Sequence, residues 1–300
     1  MKRSTIIYNP NSGKGTFKKR LDEIQAFLDS EGFTWNLEET EYPKHASQLF
    51  EKAAVDEVDL VIVGGGDGTM NEIAQSIPKL KKVPTIGYIP SGTANDLGKT
   101  LGLKKNVAKT LEIFKKHDVR TMDILESNFG VFNYIAAIGN YVDISYRTTK
   151  KMKKVWGFLA YIFFGVKAFF TTPIIQASIK TNQKSYSGKY SLILIMNSRY
   201  VAGFNLNPKS KLDDGQFELI LVPYVPIFNN VYFFAIFLLK NFSLPGIVRA
   251  QAKEIKVKTH HSRAWSLDGE SASPGYFEAK IVPKTLPLIV NGEKVEGMLH

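Results

Sequence analysis

The sequence predicts an α/β first domain with a doubly wound, Rossmann-like parallel sheet, followed by a mainly β domain of antiparallel sandwich type. Three observations predict it. Strand-like and helix-like stretches alternate through residues 1–124, strand-like stretches follow one another with little helix from about residue 125, and an apolar strand runs through three glycines into a helix near residue 66. A length of 300 residues suits two domains better than one.

In chain order, residues 5–9 read as a strand, followed by the turn Pro10-Asn11-Ser12-Gly13-Lys14-Gly15. Residues 17–30 have helical spacing, with Leu21, Ile24, Phe27 and Leu28 on one face. A strand over 35–40 and a helix over 46–54 precede Leu60-Val61-Ile62-Val63, an apolar run typical of a strand buried on both faces. Gly64-Gly65-Gly66-Asp67-Gly68 follows, and Thr69 with Glu72 has capping-box spacing, so a helix is expected to start at Thr69. A strand leading through glycines into a helix leaves backbone N–H groups free for an anion, most often a phosphate. The loop is neither a Walker A nor a complete dinucleotide fingerprint, since Thr69 stands where the third glycine belongs. A carboxylate at Asp67 would repel a phosphate unless a metal lies between them, which suggests a metal-nucleotide site. A strand over 85–89 leads into Pro90-Ser91-Gly92-Thr93-Ala94-Asn95-Asp96, and 106–116 is helical. The three small-residue loops fall at carboxyl ends of parallel strands, where ligands of such sheets bind.

The second domain is expected to carry strands at 130–139, 174–180, 190–197, 217–224, 254–259, 264–267, 277–283 and 286–290. Residues 147–170 differ: a basic run at Arg147, Lys150, Lys151, Lys153 and Lys154 precedes an aromatic-rich stretch, a pattern shared by interfacial helices on anionic bilayers and by core helices with a solvated face. Residues 1–124 hold 18 Lys/Arg against 17 Asp/Glu, and residues 125–300 hold 21 against 11. The basic second half suits an anionic membrane surface or nucleic acid.

The absence of cysteine excludes disulfides, thiolate metal sites and a cysteine nucleophile. No secretory signal is visible after Met1, and no stretch reaches the roughly 18 apolar residues of a membrane span. His260-His261 is a poor metal pair, because neighbours on a strand face opposite ways.

Taken in order, Asn9-Pro10-Asn11-Ser12-Gly13, Gly65-Gly66-Asp67-Gly68-Thr69, Ser91-Gly92-Thr93-Ala94-Asn95-Asp96, Lys211-Leu212-Asp213-Asp214-Gly215 and Leu267-Asp268-Gly269-Glu270 resemble the diacylglycerol kinase catalytic family, nearest its bacterial soluble members. NAD kinases share the GGDG loop alone. The resemblance implies domains at 1–124 and 125–300, nucleotide-binding and lipid-binding, with the last strand free to return to the first. It implies ATP and Mg²⁺ as cofactors and transfer of the γ-phosphate to a lipid hydroxyl, diacylglycerol above all. Asn9, Pro10, Asn11, Ser12, Gly13, Thr40, Gly65, Gly66, Asp67, Gly68, Thr69, Met70, Asn71, Glu72 and Thr93 would hold the nucleotide. Lys14 joins them as a cation well placed against a phosphate, with a solvated lysine in a surface loop as the plain alternative.

By the same resemblance Asp67, Asp96 and Asp123 would serve the catalytic magnesium, and Glu270 would be the base that takes the acceptor proton. Asp268 competes for that role, and an ordinary Asp-Gly hairpin with exposed acids is the plain alternative. Asp214, with the carbonyls of Lys211 and Gln216, would bind a structural magnesium. The stretch Ala137-Ile138-Gly139-Asn140-Tyr141-Val142-Asp143 departs from the family's usual glycine-rich turn, which leaves the acceptor open. The expected partners are a lipid substrate and an anionic membrane surface, with no nucleic acid and a homodimer left open. The expected location is cytoplasmic and peripheral to the membrane. Kinases of a sphingoid base, phosphatidylglycerol or NAD, and an inactive membrane-binding protein, are the rival readings.

Overall fold

Runs of β-branched residues alternating with amphipathic helices make the first part of the chain. The computed structural model describes residues 2–13, 17–139, 174–201, 204–205, 207–226, 244–260 and 262–299. Lys14, the basic aromatic stretch 147–170, residues 140–143 and His261 lie outside the described residues. The chain divides into two units by its internal contacts: unit 1 comprises Met1–Ile124, Ser198–Gly215 and Val282–His300, and unit 2 comprises Leu125–Asn197 and Gln216–Ile281. Residues 198–215, expected in the second domain, thus lie in unit 1.

The elements run β1 (Lys2–Tyr8), α1 (Leu21–Ser30), β2 (Phe33–Glu39), α2 (His45–Val55), β3 (Leu60–Gly65), α3 (Asp67–Ser76), β4 (Thr85–Pro90), α4 (Asp96–Thr100) and α5 (Val107–Phe114). Then follow β5 (Val119–Ser127), β6 (Gly130–Phe132), β7 (Ile135–Gly139), β8 (Ile175–Thr181), β9 (Ser185–Met196), β10 (Tyr200–Val201), β11 (Phe204–Asn205), β12 (Phe217–Pro223), β13 (Val248–Ala252), β14 (Glu254–Thr259), β15 (Ala264–Leu267), β16 (Glu270–Pro274), β17 (Phe277–Ile289) and α6 (Gly292–Val295).

In unit 1, β1 pairs in parallel with β2 and β3, and β3 with β4. The strand order 2-1-3-4 follows from these pairings. Ile6, Ile7, Val61, Ile62, Val63, Ile86 and Tyr88 have no exposed surface, as the unbroken apolar runs predict. Helix α1 buries Leu21, Ile24, Phe27 and Leu28, the face that its spacing marked. In unit 2 the strands are antiparallel, in the order β16-β15-β7-β9-β8-β14, with β12 pairing β9 and β13. Trp265, Phe277, Ile193, Ile195, Leu219 and Leu221 form its core, and the rings of Trp265 and Phe277 stack at 4.2 Å. Strand β14 alternates exposed and buried residues along its length, as its period of two predicts.

Three expectations are corrected. Helix α3 starts at Asp67, with Gly66 as its N-cap, and no side chain caps it. Glu72 is not in a capping box: its carboxylate accepts the backbone N–H of Ala46 at the start of α2 (3.3 Å). The strand expected over 130–139 is split into β6 and β7. Finally, the two strands expected at 277–283 and 286–290 are one, β17. Lys284 has a left-handed φ of +51° there and donates its N–H to Asp123 Oδ1 (2.7 Å), so the chain carries on through the irregularity with its donor satisfied.

Candidate active site

Unit 1 brings its three small-residue loops together. The turn after β1 starts with Asn9, whose N–H donates to Gly64 O (2.9 Å), and the Asn9 side chain accepts the N–H of Asn11 (2.9 Å). Ser12 Oγ accepts from Ser91 Oγ (3.1 Å), and Ser91 N–H donates to Gly65 O (2.8 Å). The glycines are needed for this approach. Gly13 has φ of +60°, and a Cβ there would lie 2.1 Å from Ser91 O; a Cβ on Gly92 would lie 2.6 Å from Gly66 Cα. Thr40 is buried and donates its N–H to Tyr8 O (2.9 Å).

At the start of α3, Asp67 and Gly68 stay accessible, while Thr69, Met70 and Asn71 are buried. Met70 has no exposed surface. Asp67 Oδ1 accepts the N–H of Leu97 (3.1 Å), and the backbone amides of Asp96 and Asn95 lie near enough to favour the charged form of this carboxylate. Its pKa is raised, first by burial and then by the nearby charge of Asp96, against the lowering effect of those amides. Asp96 itself is buried, with Lys99 Nζ at 3.6 Å. Thr93 is exposed, and its carbonyl accepts from Lys105 Nζ (3.0 Å). Pro10, Gly65 and Gly66 line the same loops.

Two neighbouring carboxylates, Asp67 and Asp96, suit a hard divalent ion. Magnesium is commonly held by one or two carboxylates together with substrate phosphates and water. Among the described residues no three His, Asp or Glu side chains gather into a ready-made cage.

Asp123 is not at the end of a strand. It lies inside β5 with no exposed surface, and its carboxylate is engaged by backbone. Oδ2 accepts Gly215 N–H (2.8 Å), Oδ1 accepts Lys284 N–H, and Asp123 N–H donates to Leu212 O (2.7 Å). Burial raises its pKa, opposed by those two hydrogen bonds. Asp123 therefore sets the conformation of the loop that carries Lys211 and Asp214, in which Gly215 has φ of +69°. Gln216 begins unit 2.

In unit 2 the Asp-Gly turn is a two-residue hairpin loop between β15 and β16. Leu267 pairs with Glu270, and both loop residues have positive φ, +49° at Asp268 and +89° at Gly269. The plain expectation of two exposed acids fails for one of them. Asp268 is buried, and its carboxylate accepts the N–H groups of Asn133 (2.7 Å), Tyr134 (3.1 Å) and Ile135 (3.0 Å). These donors are what splits β6 from β7. A carboxylate saturated by three backbone donors is a poor competitor for the role of base. Glu270 is exposed at the first position of β16. Asn133 and Tyr134 had no signal in the sequence, because their part comes from backbone N–H groups that every residue has.

Residues 3–127 match the diacylglycerol kinase catalytic domain family, and residues 139–290 match the family described as the YegS C-terminal NAD kinase beta sandwich-like domain. The chain is 31% identical over 282 residues to a diacylglycerol kinase of Bacillus subtilis (strain 168), covering 92% of this chain and 93% of the relative. It is 31% identical over 272 residues to a diacylglycerol kinase of Staphylococcus carnosus (strain TM300), covering 90% and 89%. A solved diacylglycerol kinase from Bacillus anthracis str. Sterne shares the fold, with a TM-score of 0.80 at 24% identity over 97% of this chain and 98% of that one. Another solved chain from that organism matches with a TM-score of 0.85 at 25% identity over 98% and 97%. With its loops, its sheet order and these full-length matches, the chain belongs to the diacylglycerol kinase catalytic family and is a lipid kinase.

Proposed function

We propose that the protein transfers the γ-phosphate of Mg-ATP to the free hydroxyl of diacylglycerol, giving phosphatidic acid. One observation carries the reading: the turn after β1, the glycine loop and the 90–96 loop converge in unit 1 beside two coupled carboxylates. In this reading Asn9 to Gly13, Thr40, Gly65 to Glu72 and Thr93 surround the nucleotide, largely through backbone groups. Asp67 and Asp96 hold Mg²⁺, which when bound neutralises charge on the transferring phosphoryl group. Asp123 acts on the site by fixing the Leu212–Gly215 loop, where Asp214 and the carbonyls of Lys211 and Gln216 offer oxygen ligands for a second magnesium.

Glu270 takes the acceptor hydroxyl's proton as the new O–P bond forms and ADP leaves. Its exposure supports this, since a base must reach a substrate that comes from outside. Because the acceptor sits in a bilayer, the enzyme works at an anionic membrane face from the cytoplasm. Among the described residues no helix is long and apolar enough to cross a membrane.

The test is an acceptor screen: radiolabelled ATP with dioleoylglycerol, a sphingoid base, phosphatidylglycerol or NAD, with mass detection of products. Phosphatidic acid is the expected product, and phosphorylation of NAD alone would overturn the proposal. Glu270→Gln is expected to retain Mg-ATP binding and to lose turnover.

A further inference from the structure

Resting on the reading of Glu270 as base, we propose that Asp268 is the residue that positions it, by locking the β15–β16 hairpin onto the segment Asn133–Ile135. Five hydrogen bonds join this one residue to that segment. Three run from backbone N–H groups to the carboxylate. The fourth runs from Asp268 N–H to Ile135 O (2.8 Å), and the fifth from Tyr134 Oη to Asp268 O (3.0 Å). Two more backbone pairs, Ser266 with Ala137 and Leu267 with Ala136, extend the seam along β15 and β7.

The chemistry of the residue fits the task. Left-handed backbone is strained for an aspartate, and it persists only where the surroundings over-determine it. Here a carboxylate fills a concavity of three consecutive N–H groups, an anion seat of the kind that successive backbone amides make. The loop has only two residues, so an anchored Asp268 leaves one glycine between the anchor and Glu270. Gly269 has open space around its Cβ position, so packing does not hold that end; the anchor does. Asp268 touches no reacting group in this scheme and acts through Glu270. An error of about 1 Å in a reacting group lowers rate by about 10²-fold.

Asp268→Asn keeps size and tolerance of left-handed backbone, but turns one acceptor oxygen into a donor that faces N–H groups. The experiment compares wild type, Asp268→Asn, Glu270→Gln and the double variant, with dioleoylglycerol in detergent micelles and radiolabelled ATP. It reads kcat, KM for the lipid and Mg-ATP affinity. Asp268→Asn is expected to lower kcat about 10²-fold, with KM and Mg-ATP affinity within about twofold of wild type. The double variant is expected to match Glu270→Gln within about threefold, because a residue that acts through Glu270 has nothing left to position. A double variant that falls a further 10²-fold below Glu270→Gln would overturn the proposal, as would Asp268→Asn with wild-type kcat. Should Glu270→Gln itself keep wild-type kcat, the base assignment fails instead, a separate result. Tyr134→Phe, which removes only the hydroxyl bond, guards against misfolding of the first variant: a several-fold loss of kcat in a folded protein supports the proposal, and none overturns it.

Discussion

The chain carries the dipeptide Asp-Gly three times, at 67–68, 214–215 and 268–269, and the first and last do opposite things. Asp67-Gly68 opens a helix in unit 1, and Asp268-Gly269 turns a hairpin in unit 2. Both carboxylates accept backbone N–H groups from a distant segment, Asp67 from Leu97 and Asp268 from Asn133, Tyr134 and Ile135. The difference lies in what else is near. Asp67 is partly accessible and shares its surroundings with Asp96, so burial and a like charge leave its ionised form under-compensated. Asp268 is buried and is satisfied by its backbone donors. On the proposed function, chemistry belongs with the first kind of carboxylate, because a charge with fewer donors around it can still recruit a cation.

This contrast can be broken by substitution. Asp67→Asn is expected to reduce Mg-ATP affinity and kcat together, by at least ~10³-fold in kcat/KM, since metal-borne charge stabilisation is worth several kcal/mol. The same change should leave the melting temperature equal or higher. The sign follows from linkage: a native pKa raised above the unfolded value means that stability falls as pH climbs from 3.8 through the raised value. The asparagine variant lacks that fall, so it should gain on wild type at neutral pH and match it in acid. Urea titrations at both pH values check this.

Asp268→Asn should do the reverse to stability. It leaves buried N–H groups facing a donor, an expected loss of about 1–3 kcal/mol by urea titration. Asp123→Asn is expected to fall slightly below it, at about 1–2 kcal/mol, because two backbone donors are affected where Asp268 has three. A smaller, alkaline effect is expected at a buried tyrosine hydroxyl. The Tyr8 hydroxyl donates to Glu39, and its pKa is pushed up to about 12, chiefly by burial. Native protein therefore holds a proton that the unfolded chain releases near pH 10, so stability should fall from about pH 10 to about pH 12. Tyr8→Phe should flatten that part of the profile, with only a minor change at pH 7.

What could be read from sequence follows the same line. Leu21, Ile24, Phe27 and Leu28 declared their helix face, and Lys256 and Lys258 declared the outer face of β14, because burial has a period. The converging loops were legible too, since only glycine and small residues allow backbones to meet at Gly66 and Gly92. The breaks were not. Glu72 satisfies the local rule for a capping box and yet serves another helix, 26 residues upstream. Asp268 splits a strand 133–135 residues away in sequence by offering its backbone a better acceptor than the ladder. Asp123 plays the same part at Lys284. Long-range side-chain-to-backbone bonds leave no periodic trace, because the donor is present at almost every residue.

Strand β17 has a further consequence. Its early residues, Phe277 to Lys280, ladder with β14 in unit 2, while Leu288 pairs in parallel with Ile86 of β4 in unit 1. On the ribosome, the flank of β4 must wait while some two hundred further residues are made, roughly 10–40 s at ordinary elongation rates. During that interval a naked sheet margin is open to the wrong neighbour. The first 124 residues expressed by themselves should therefore precipitate or pair with one another, and co-expression of a peptide spanning 277–299 should rescue their solubility.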